Sequence, residues 1–239
     1  MPHATFGLFV PCYVNALYPE AGVATWRLLE YLGVDADYPT GQTCCGQPMA
    51  NAGFEREAVP LVKQFHSLFA RYDFIITPSA SCAVFVKEHL EEMNGRLYEI
   101  CEYLHDVAKV ETLPGKFAHK VSIHNSCHGV RKLRLSSASE RMEPHYSKLK
   151  KLLYMVEGIE VVEPANADEC CGFGGMFSIE EPAVSVCMGH DKLKNHLATG
   201  AQYITGADSS CLMHLQGIAR REKMPARFIH IAQILAAGL

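Results

Sequence analysis

One cysteine pattern occurs twice in this chain of 239 residues, and it restricts the fold more than any other feature. Each copy has a single cysteine after an apolar run, then a vicinal pair followed by glycine, then another single cysteine. The offset between the copies grows from 115 residues at the first cysteine to 129 at the last, that is, from Cys12 to Cys127 and from Cys82 to Cys211. A period this long exceeds the repeat unit of a solenoid, so the pattern predicts a duplicated domain.

Both halves alternate short β-branched or aromatic runs with longer helical patterns, which is typical of βαβ units around a parallel sheet. The predicted strands are 6–10, 34–38, 74–77, 121–124, 159–163, 203–205 and 227–230. The predicted helices are 22–32, one from Gly46 to 71, 81–93, 98–110, 185–197 and 212–221. The segment Leu113-Pro114-Gly115-Lys116 favours a boundary between domains 1–113 and 114–239. The prediction is an α/β protein of two duplicated, Rossmann-like three-layer domains related by a pseudo-two-fold axis.

The composition excludes several classes of protein. A net charge of −4 without a Lys/Arg stripe argues against binding to nucleic acid. We expect no transmembrane segment, because no apolar run approaches the roughly 20 residues needed to span a bilayer. The N-terminus lacks the basic region of a signal peptide, which predicts a cytoplasmic protein. In that reducing compartment, the ten cysteines are better explained as ligands or redox groups than as structural disulfides.

Four cysteines of each half are predicted to meet beyond the carboxyl ends of the strands, where open α/β sheets bind ligands. Four thiolates around one point are favourable only with a cationic centre, and both iron–sulfur clusters and tetrahedral zinc take four cysteine ligands. Gly46 and Gly172 would let backbone amides approach the sulfurs, and Ser81 and Ser210 are predicted helix N-caps. The candidate ligands are Cys12, Cys44, Cys45 and Cys82 in the first half and Cys127, Cys170, Cys171 and Cys211 in the second.

Two other chemistries stay open for the repeated pattern. The vicinal cysteines would also suit strained disulfides of a redox switch. The repeat would also suit structural zinc, although zinc sites usually contain short Cys-x-x-Cys knuckles that this chain lacks. His124 and His128 flank Cys127 closely enough to be ligands or neighbours of ligands, and ordinary strand-end histidines fit the same pattern.

The remaining cysteines and two helical histidines are predicted to lie outside the site. Cys101 and Cys187 fall within helical patterns and are interpreted as small buried hydrophobic residues. His190 and His196 are six residues apart on one helix, so they do not share a face, and both are predicted to be on the surface.

The motifs Cys44-Cys45-Gly46-Gln47-Pro48 and Cys170-Cys171-Gly172-Phe173-Gly174-Gly175 resemble those of the cysteine-rich, CCG-domain family of iron–sulfur oxidoreductase subunits. That family includes the catalytic subunit of heterodisulfide reductase and the iron–sulfur subunit of glycolate oxidase. The resemblance runs from Cys12 to Cys211, and it is closest to the lactate-utilisation branch. It implies one or two clusters, of the [4Fe-4S] type, and transfer of electrons during oxidation of L-lactate, a 2-hydroxy acid, to pyruvate. It also implies a partner subunit with ferredoxin-type clusters, and activity only within such a complex.

The chain departs from the heterodisulfide reductase branch at one position in each half. In that branch each motif ends in Cys-x-x-Cys, which supplies a fifth thiolate, whereas this chain has Ser79 and Asp208 at the first of those two cysteines. A five-thiolate cluster is therefore not expected. An oxygen ligand from Ser79 or Asp208, or zinc at one site, stays open. The alternative functions are a thiol/disulfide redox enzyme and a zinc-stabilised, non-catalytic assembly module.

Overall fold

The computed structural model describes residues 4–239 and contains two four-stranded parallel sheets. The first has the order β2-β1-β3-β4 and the second the order β6-β5-β7-β8, so the two halves share one topology. The strands are β1 (Phe6–Leu8), β2 (Ala36–Asp37), β3 (Phe74–Thr77), β4 (Leu97–Glu99), β5 (Lys120–Ile123), β6 (Glu160–Val162), β7 (Tyr203–Gly206) and β8 (Arg227–His230). The predicted duplication of a parallel α/β domain is confirmed.

Helices cover the sheets and connect their strands. They are α1 (Cys12–Leu17), α2 (Pro19–Tyr31), α3 (Gln47–Asn51), α4 (Glu55–Phe69), α5 (Ala80–His89), α6 (Ile100–Glu102), α7 (Cys127–Arg131), α8 (Lys148–Leu153), α9 (Phe177–Glu180), α10 (Pro182–Leu197), α11 (Ser209–Arg221) and α12 (Ile231–Leu235). A 3₁₀ turn spans Glu91–Met93, and a π-helical turn spans Tyr103–Val107. None of the helices in residues 4–239 combines the length and the apolar character needed to cross a bilayer.

Two predicted elements of the first half differ from the structure. The single helix expected after Gly46 is divided into α3 and α4, because the chain turns at Gly53 with a φ of +84°. The helix expected over 98–110 begins as strand β4, whose Leu97 and Tyr98 pair with β3. Three residues are too few to show a period of two, so their pairing with a buried neighbour decides this conformation.

A pair of equivalent residues marks the symmetry between the halves. Ser79 precedes α5 and Asp208 precedes α11, and these two residues pair with each other in an antiparallel bridge. The N–H of Ala80 donates to the carbonyl of Ala207 at 3.1 Å in the same contact. A two-fold axis brings a residue of one half into contact with the equivalent residue of the other half. The predicted pseudo-two-fold relation is therefore confirmed.

The last helix of each half packs against the other half. Helix α12 follows the second sheet and packs against α2, whereas α6 follows the first sheet and packs against α8. The main apolar core accordingly contains residues from both halves, including Leu28 of α2 and Leu235 of α12. The predicted boundary after Leu113 falls in segment 108–119, which carries no helix or strand, and its exact position stays a prediction.

Candidate metal centres

Four thiols of the first half converge at the carboxyl ends of its strands. Cys12 opens α1, with three residues between it and the end of β1, and Cys82 lies in the first turn of α5 after β3. Cys44 and Cys45 occupy the loop between β2 and α3. The sulfurs of Cys45 and Cys82 are 3.4 Å apart, and the thiol of Cys12 is hydrogen-bonded to Cys44. Loops far apart in sequence therefore bring one compact group of sulfurs together.

The second half repeats this arrangement. Cys127 opens α7 after β5 and contacts Cys170, and Cys171 contacts Cys211 in the first turn of α11. The two groups face one cleft between the halves. All eight candidate cysteines line it. The structure therefore brings together every cysteine that the sequence assigned to the site, and their role as ligands stays a prediction.

The glycine after each vicinal pair places backbone amides on the sulfurs. Gly46 and Gly172 have φ angles of +103° and +88°, which an L-residue with a side chain rarely adopts. Each donates its N–H to a cysteine two residues earlier, Cys44 or Cys170, at 3.4 Å. The amide of Phe173 lies 3.5 Å from the sulfur of Cys171. Such N–H groups stabilise negative charge on sulfur, as the sequence predicted.

One cysteine in each group is stabilised as a thiolate. The pKa of Cys44 falls to about 3 because the thiols of Cys12 and Cys45 donate to its sulfur. The same contacts from Cys127 and Cys171 lower the pKa of Cys170 to about 2. The donating thiols have raised pKa values in return, first because of these hydrogen bonds and then because of burial. In the first half, these hydrogen bonds join the four sulfurs in the order Cys12, Cys44, Cys45 and Cys82.

The donor set fits a soft metal. Each group offers four thiols, two buried and two half-buried, with no lysine or arginine among the residues of 4–239 that line the cleft. The 3.4 Å between the sulfurs of Cys45 and Cys82 resembles the edge of about 3.8 Å around one tetrahedral ion with 2.3 Å metal–sulfur bonds. A four-iron cluster is wider and would require the loops to spread. All ten cysteines are free thiols, so the structure does not describe the alternative of vicinal disulfides.

Ser79 and Asp208, which replace the fifth cysteine of each motif, bond to each other. The Oδ1 atom of Asp208 accepts from the hydroxyls of Ser79 at 3.0 Å and Ser81 at 2.8 Å. Its Oδ2 atom accepts from the N–H of Ser81 at 2.9 Å. Burial raises the pKa of this carboxyl group. Both oxygens are occupied by the other half, so Asp208 joins the halves across the pseudo-two-fold axis.

The predicted helix caps are wrong by two residues. Ser79, rather than Ser81, caps α5, and its hydroxyl accepts the N–H of Cys82. Asp208, rather than Ser210, holds the N-cap position of α11, with its carboxylate directed across the axis instead. The inference that Cys82 and Cys211 lie in the first turn of a helix, near its positive end, holds.

The predicted burial of the cysteines and histidines outside the site is only partly correct. Cys101 is fully buried in the core, as predicted. Cys187 is exposed on α10, so its predicted burial is wrong. His190 is half-buried and pairs with Glu222 at 2.9 Å. The prediction that His196 is on the surface is wrong, because its imidazole is fully buried.

Side chains of both halves close the cleft around the sulfurs. Tyr13 and Phe173 make an edge-to-face contact with ring centroids 5.8 Å apart. Gln47 lies 3.3 Å from the Nε2 atom of His128, whose Nδ1 atom is 4.0 Å from the sulfur of Cys127. His124 is buried, and one of its nitrogens lies within 4.8 Å of the sulfurs of Cys171 and Cys211. The two histidines are close enough to the sulfurs to contact a metal that the thiols would hold.

The fold and the sulfur clusters define a class of protein. The family model of the CCG cysteine-rich domain matches residues 6–87 and 121–216, one match in each half. The chain therefore belongs to the CCG cysteine-rich domain family. In that family it is 37% identical to Lactate utilization protein A of Geobacillus kaustophilus strain HTA426, over 96% of this chain and 98% of the relative. It is 35% identical to Lactate utilization protein A 2 of Bacillus cereus strain Q1, over 97% of this chain and 98% of that relative.

A solved structure shares the fold. The crystal structure of a hypothetical protein from Helicobacter pylori superposes with a TM-score of 0.66 at 10% sequence identity. The match covers 100% of this chain and 50% of that one, so the chain spans half the length of the solved protein. At this identity the likeness supports the duplicated α/β fold alone.

Proposed function

We propose that this chain is an iron–sulfur electron-transfer subunit of a system that oxidises L-lactate, a 2-hydroxy acid, to pyruvate. The observation that carries the proposal is the convergence of four thiols from each half on one cleft. The substrate class comes from the relatives, which are named for lactate utilisation and match nearly the whole chain. When bound, an iron–sulfur cluster supplies a one-electron carrier.

The residues of the cleft support this role in three ways. The thiols of Cys12, Cys44, Cys45 and Cys82, and of their equivalents in the second half, would hold the two centres. The amides of Gly46 and Gly172 donate to sulfur and would stabilise the added negative charge of a reduced state. The aromatic contact of Tyr13 with Phe173 covers the cleft and limits the access of water to it.

A partner is part of the proposal. Oxidation of a 2-hydroxy acid removes two electrons together, normally as a hydride to an organic cofactor. The sequence has no nicotinamide- or flavin-binding motif, and it lacks the cysteine run of ferredoxins. The lactate would therefore be oxidised on another subunit, and a partner with ferredoxin-type clusters would pass the electrons on.

One observation favours zinc as a second candidate for one of the sites. The sulfurs of Cys45 and Cys82 are spaced as around a single tetrahedral ion. A zinc-stabilised assembly module would contain the same thiols but would transfer no electrons. The thiol/disulfide redox alternative has less support, because Ser79 and Asp208 stand in place of the fifth thiolate and bond to each other.

Metal analysis of the anaerobically purified chain tests the proposal. We expect iron and sulfide, and visible absorption that dithionite bleaches. Because a hydroxyl is a poor ligand for soft metals, Cys45→Ser and Cys171→Ser should each remove about half of the iron. Cys187→Ser is the matched control and should keep all of it, since Cys187 lies outside the cleft. A colourless protein with stoichiometric zinc, or iron loss only in the control, would contradict the proposal.

A kinetic test addresses the requirement for a partner. The iron-loaded chain is given L-lactate and an artificial electron acceptor under anaerobic conditions. No turnover is expected until the partner proteins are added. Sustained turnover by the chain alone would make it the complete dehydrogenase and would refute its assignment as an electron-transfer subunit.

A further inference from the structure

The two halves differ in the side chains at three equivalent buried positions, although the fold around the two groups of thiols is the same. In the first half, Phe9 lies three residues before Cys12 and packs edge-to-face against Phe65 and Phe69 of α4, with ring centroids 4.9 and 5.5 Å from its own. All three phenylalanines are buried in the apolar core. This arrangement is an ordinary hydrophobic contact between a strand end and a helix, and it offers no donor to a metal.

Three polar side chains hold the equivalent positions in the second half. The N–H of Phe9 donates to the carbonyl of Ile76 in β3. The N–H of His124 donates to the carbonyl of Thr205, which is the residue of β7 equivalent to Ile76. On the helices, the contact of Gly46 with Ala58 corresponds to that of Gly172 with Ser185. Ala58 and Ser185 are 127 residues apart, and the same offset pairs Phe65 with Lys192 and Phe69 with His196. The exposed fractions of His124, Lys192 and His196 are 1%, 1% and 0%.

Lys192 and His196 each have a hydrogen-bond partner, although the Nε2 atom of His196 has none within residues 4–239. The Nζ atom of Lys192 donates to the carbonyls of Asn166 at 2.6 Å and Ala167 at 3.0 Å, so it fastens the loop that leads to Cys170. The Nδ1 atom of His196 bonds to the hydroxyl of Ser122 at 2.7 Å. Lys192 therefore holds the loop before Cys170, and His196 is bonded to strand β5.

His124 has no such partner. Within residues 4–239 neither of its ring nitrogens makes a hydrogen bond, although the ring is buried. One nitrogen, the sulfur of Cys171 and the sulfur of Cys211 all lie within 4.8 Å of one another. A buried imidazole without a hydrogen bond is costly, and its neutral form is a common metal ligand.

We propose that His124 is a nitrogen ligand of the metal in the second centre, so that the two centres have different donor sets. The first centre has sulfur donors alone, whereas in the second the imidazole at the position of Phe9 would replace one of the four thiols around a four-coordinate metal. Where histidine replaces cysteine at an iron–sulfur centre, the reduction potential rises. The second centre would then be the better electron acceptor of the two. This consequence rests on the proposed electron-transfer function, whereas the ligation itself rests only on metal binding by the thiols.

Cadmium-113 NMR tests the ligation directly. The full chain, with its histidines labelled with nitrogen-15, is loaded with ¹¹³Cd²⁺ as a soft-metal probe. We expect two cadmium signals, of which only one shows coupling to a histidine nitrogen. His124→Phe, which introduces the residue of the first half, should abolish this coupling and leave the signal of the first centre unchanged. His128→Gln is the matched control, because His128 also flanks Cys127, and the coupling should survive in it.

The outcomes separate this inference from the proposed function. Two filled sites without any cadmium–nitrogen coupling would overturn the ligation by His124 and leave the thiol sites intact. Coupling that persists in His124→Phe, or that disappears in His128→Gln, would also overturn it. If His124→Phe fails to fold, the native chain and His128→Gln together still decide between the two histidines. Failure of cadmium to bind at either site would refute the metal-binding function itself.

Discussion

The carboxyl group of Glu99 lies at the end of β4 with no exposed surface. Its Oε2 atom accepts the N–H groups of Cys101 at 2.8 Å and Glu102 at 3.2 Å, and so caps α6. Its Oε1 atom has no hydrogen-bond partner in the described part of the chain. Burial raises the pKa of Glu99 to about 8 from the usual 4.5. A proton therefore remains on this group in the native state near neutral pH.

The raised pKa of Glu99 predicts a pH-dependent gain from Glu99→Gln. Between pH 4.5 and 8 the native chain holds a proton that the unfolded chain has lost, so this group makes the native state less stable as the pH rises. Glutamine keeps the capping oxygen without a charge. The variant should match the native chain below pH 4.5 and exceed it by about 2–4 kcal/mol above pH 8. Urea unfolding at pH 4.5, 7 and 9 measures this difference, and a difference that is constant with pH would contradict the stated pKa.

The sequence located the cysteines of the site better than it located their surroundings. The two motifs predicted all eight thiols of the cleft, because cysteines that follow parallel strands meet at one edge of a sheet. It did not predict that Lys192 and His196 are buried, since their neighbours along α10 include exposed residues. A comparison of the two halves helix by helix would have paired them with Phe65 and Phe69, and burial in one copy predicts burial in the other.

The loop that joins the vicinal cysteines to the next helix is the element on which each centre depends. In the second half it packs so closely on α10 that a Cβ atom at Gly172 would lie 2.5 Å from the carbonyl oxygen of Ser185 and 2.9 Å from the Cβ atom of Met188. The positive φ of Gly172 adds strain for any other residue. The glycine is therefore required both for space and for backbone conformation.

Gly172→Ala should destabilise the chain and displace the second centre. The strain of a positive φ and the clash with α10 together cost about 2–5 kcal/mol. Gly217→Ala is the control, because it lies within α11 with nothing within 4 Å of the added methyl group. That change should stabilise the chain by about 0.5–1 kcal/mol through the helix propensity of alanine. Thermal unfolding measures both, and equal melting temperatures would refute the close packing of this loop.

Some element boundaries followed from a local signal in the sequence. Strand β3 matches its predicted range because its apolar and β-branched residues end at Pro78, and β8 also matches its predicted range. Strand β4 has no such signal in its three residues, and its conformation depends on pairing with β3. The same pairing of distant segments produces the contact of Ser79 with Asp208, which no local pattern indicates.

At the scale of the whole molecule, the halves are similar in fold and depend on each other. The sequence predicted two domains, since the cysteine pattern is duplicated. The structure adds an exchange of terminal helices, in which α12 of the second half packs against α2 of the first. Residues Ile231 and Ile234 of α12 have no exposed surface. Separate domains would present these apolar faces to water, so we infer that the halves unfold together.

This interdependence predicts that a substitution in the second half will be detected by a probe in the first. Trp26 on α2 is the single tryptophan of the chain, and α2 packs against α12. Ile234→Ala leaves a cavity in α12 and should lower the free energy of unfolding by about 2–4 kcal/mol. The loss should be the same whether unfolding is followed by Trp26 fluorescence or by far-UV circular dichroism, because one transition carries both halves.

The control for this measurement is Val184→Ala on α10, where the side chain is 50% exposed and the expected change stays within about 0.5 kcal/mol. If Ile234→Ala shifted only part of the circular dichroism change and left the Trp26 transition in place, the halves would be independent units. The cleft would then lie between two bodies free to separate, and each group of thiols would have to retain its metal alone. Coincident transitions would instead mean that the exchanged helices hold both groups of thiols in one cooperative fold.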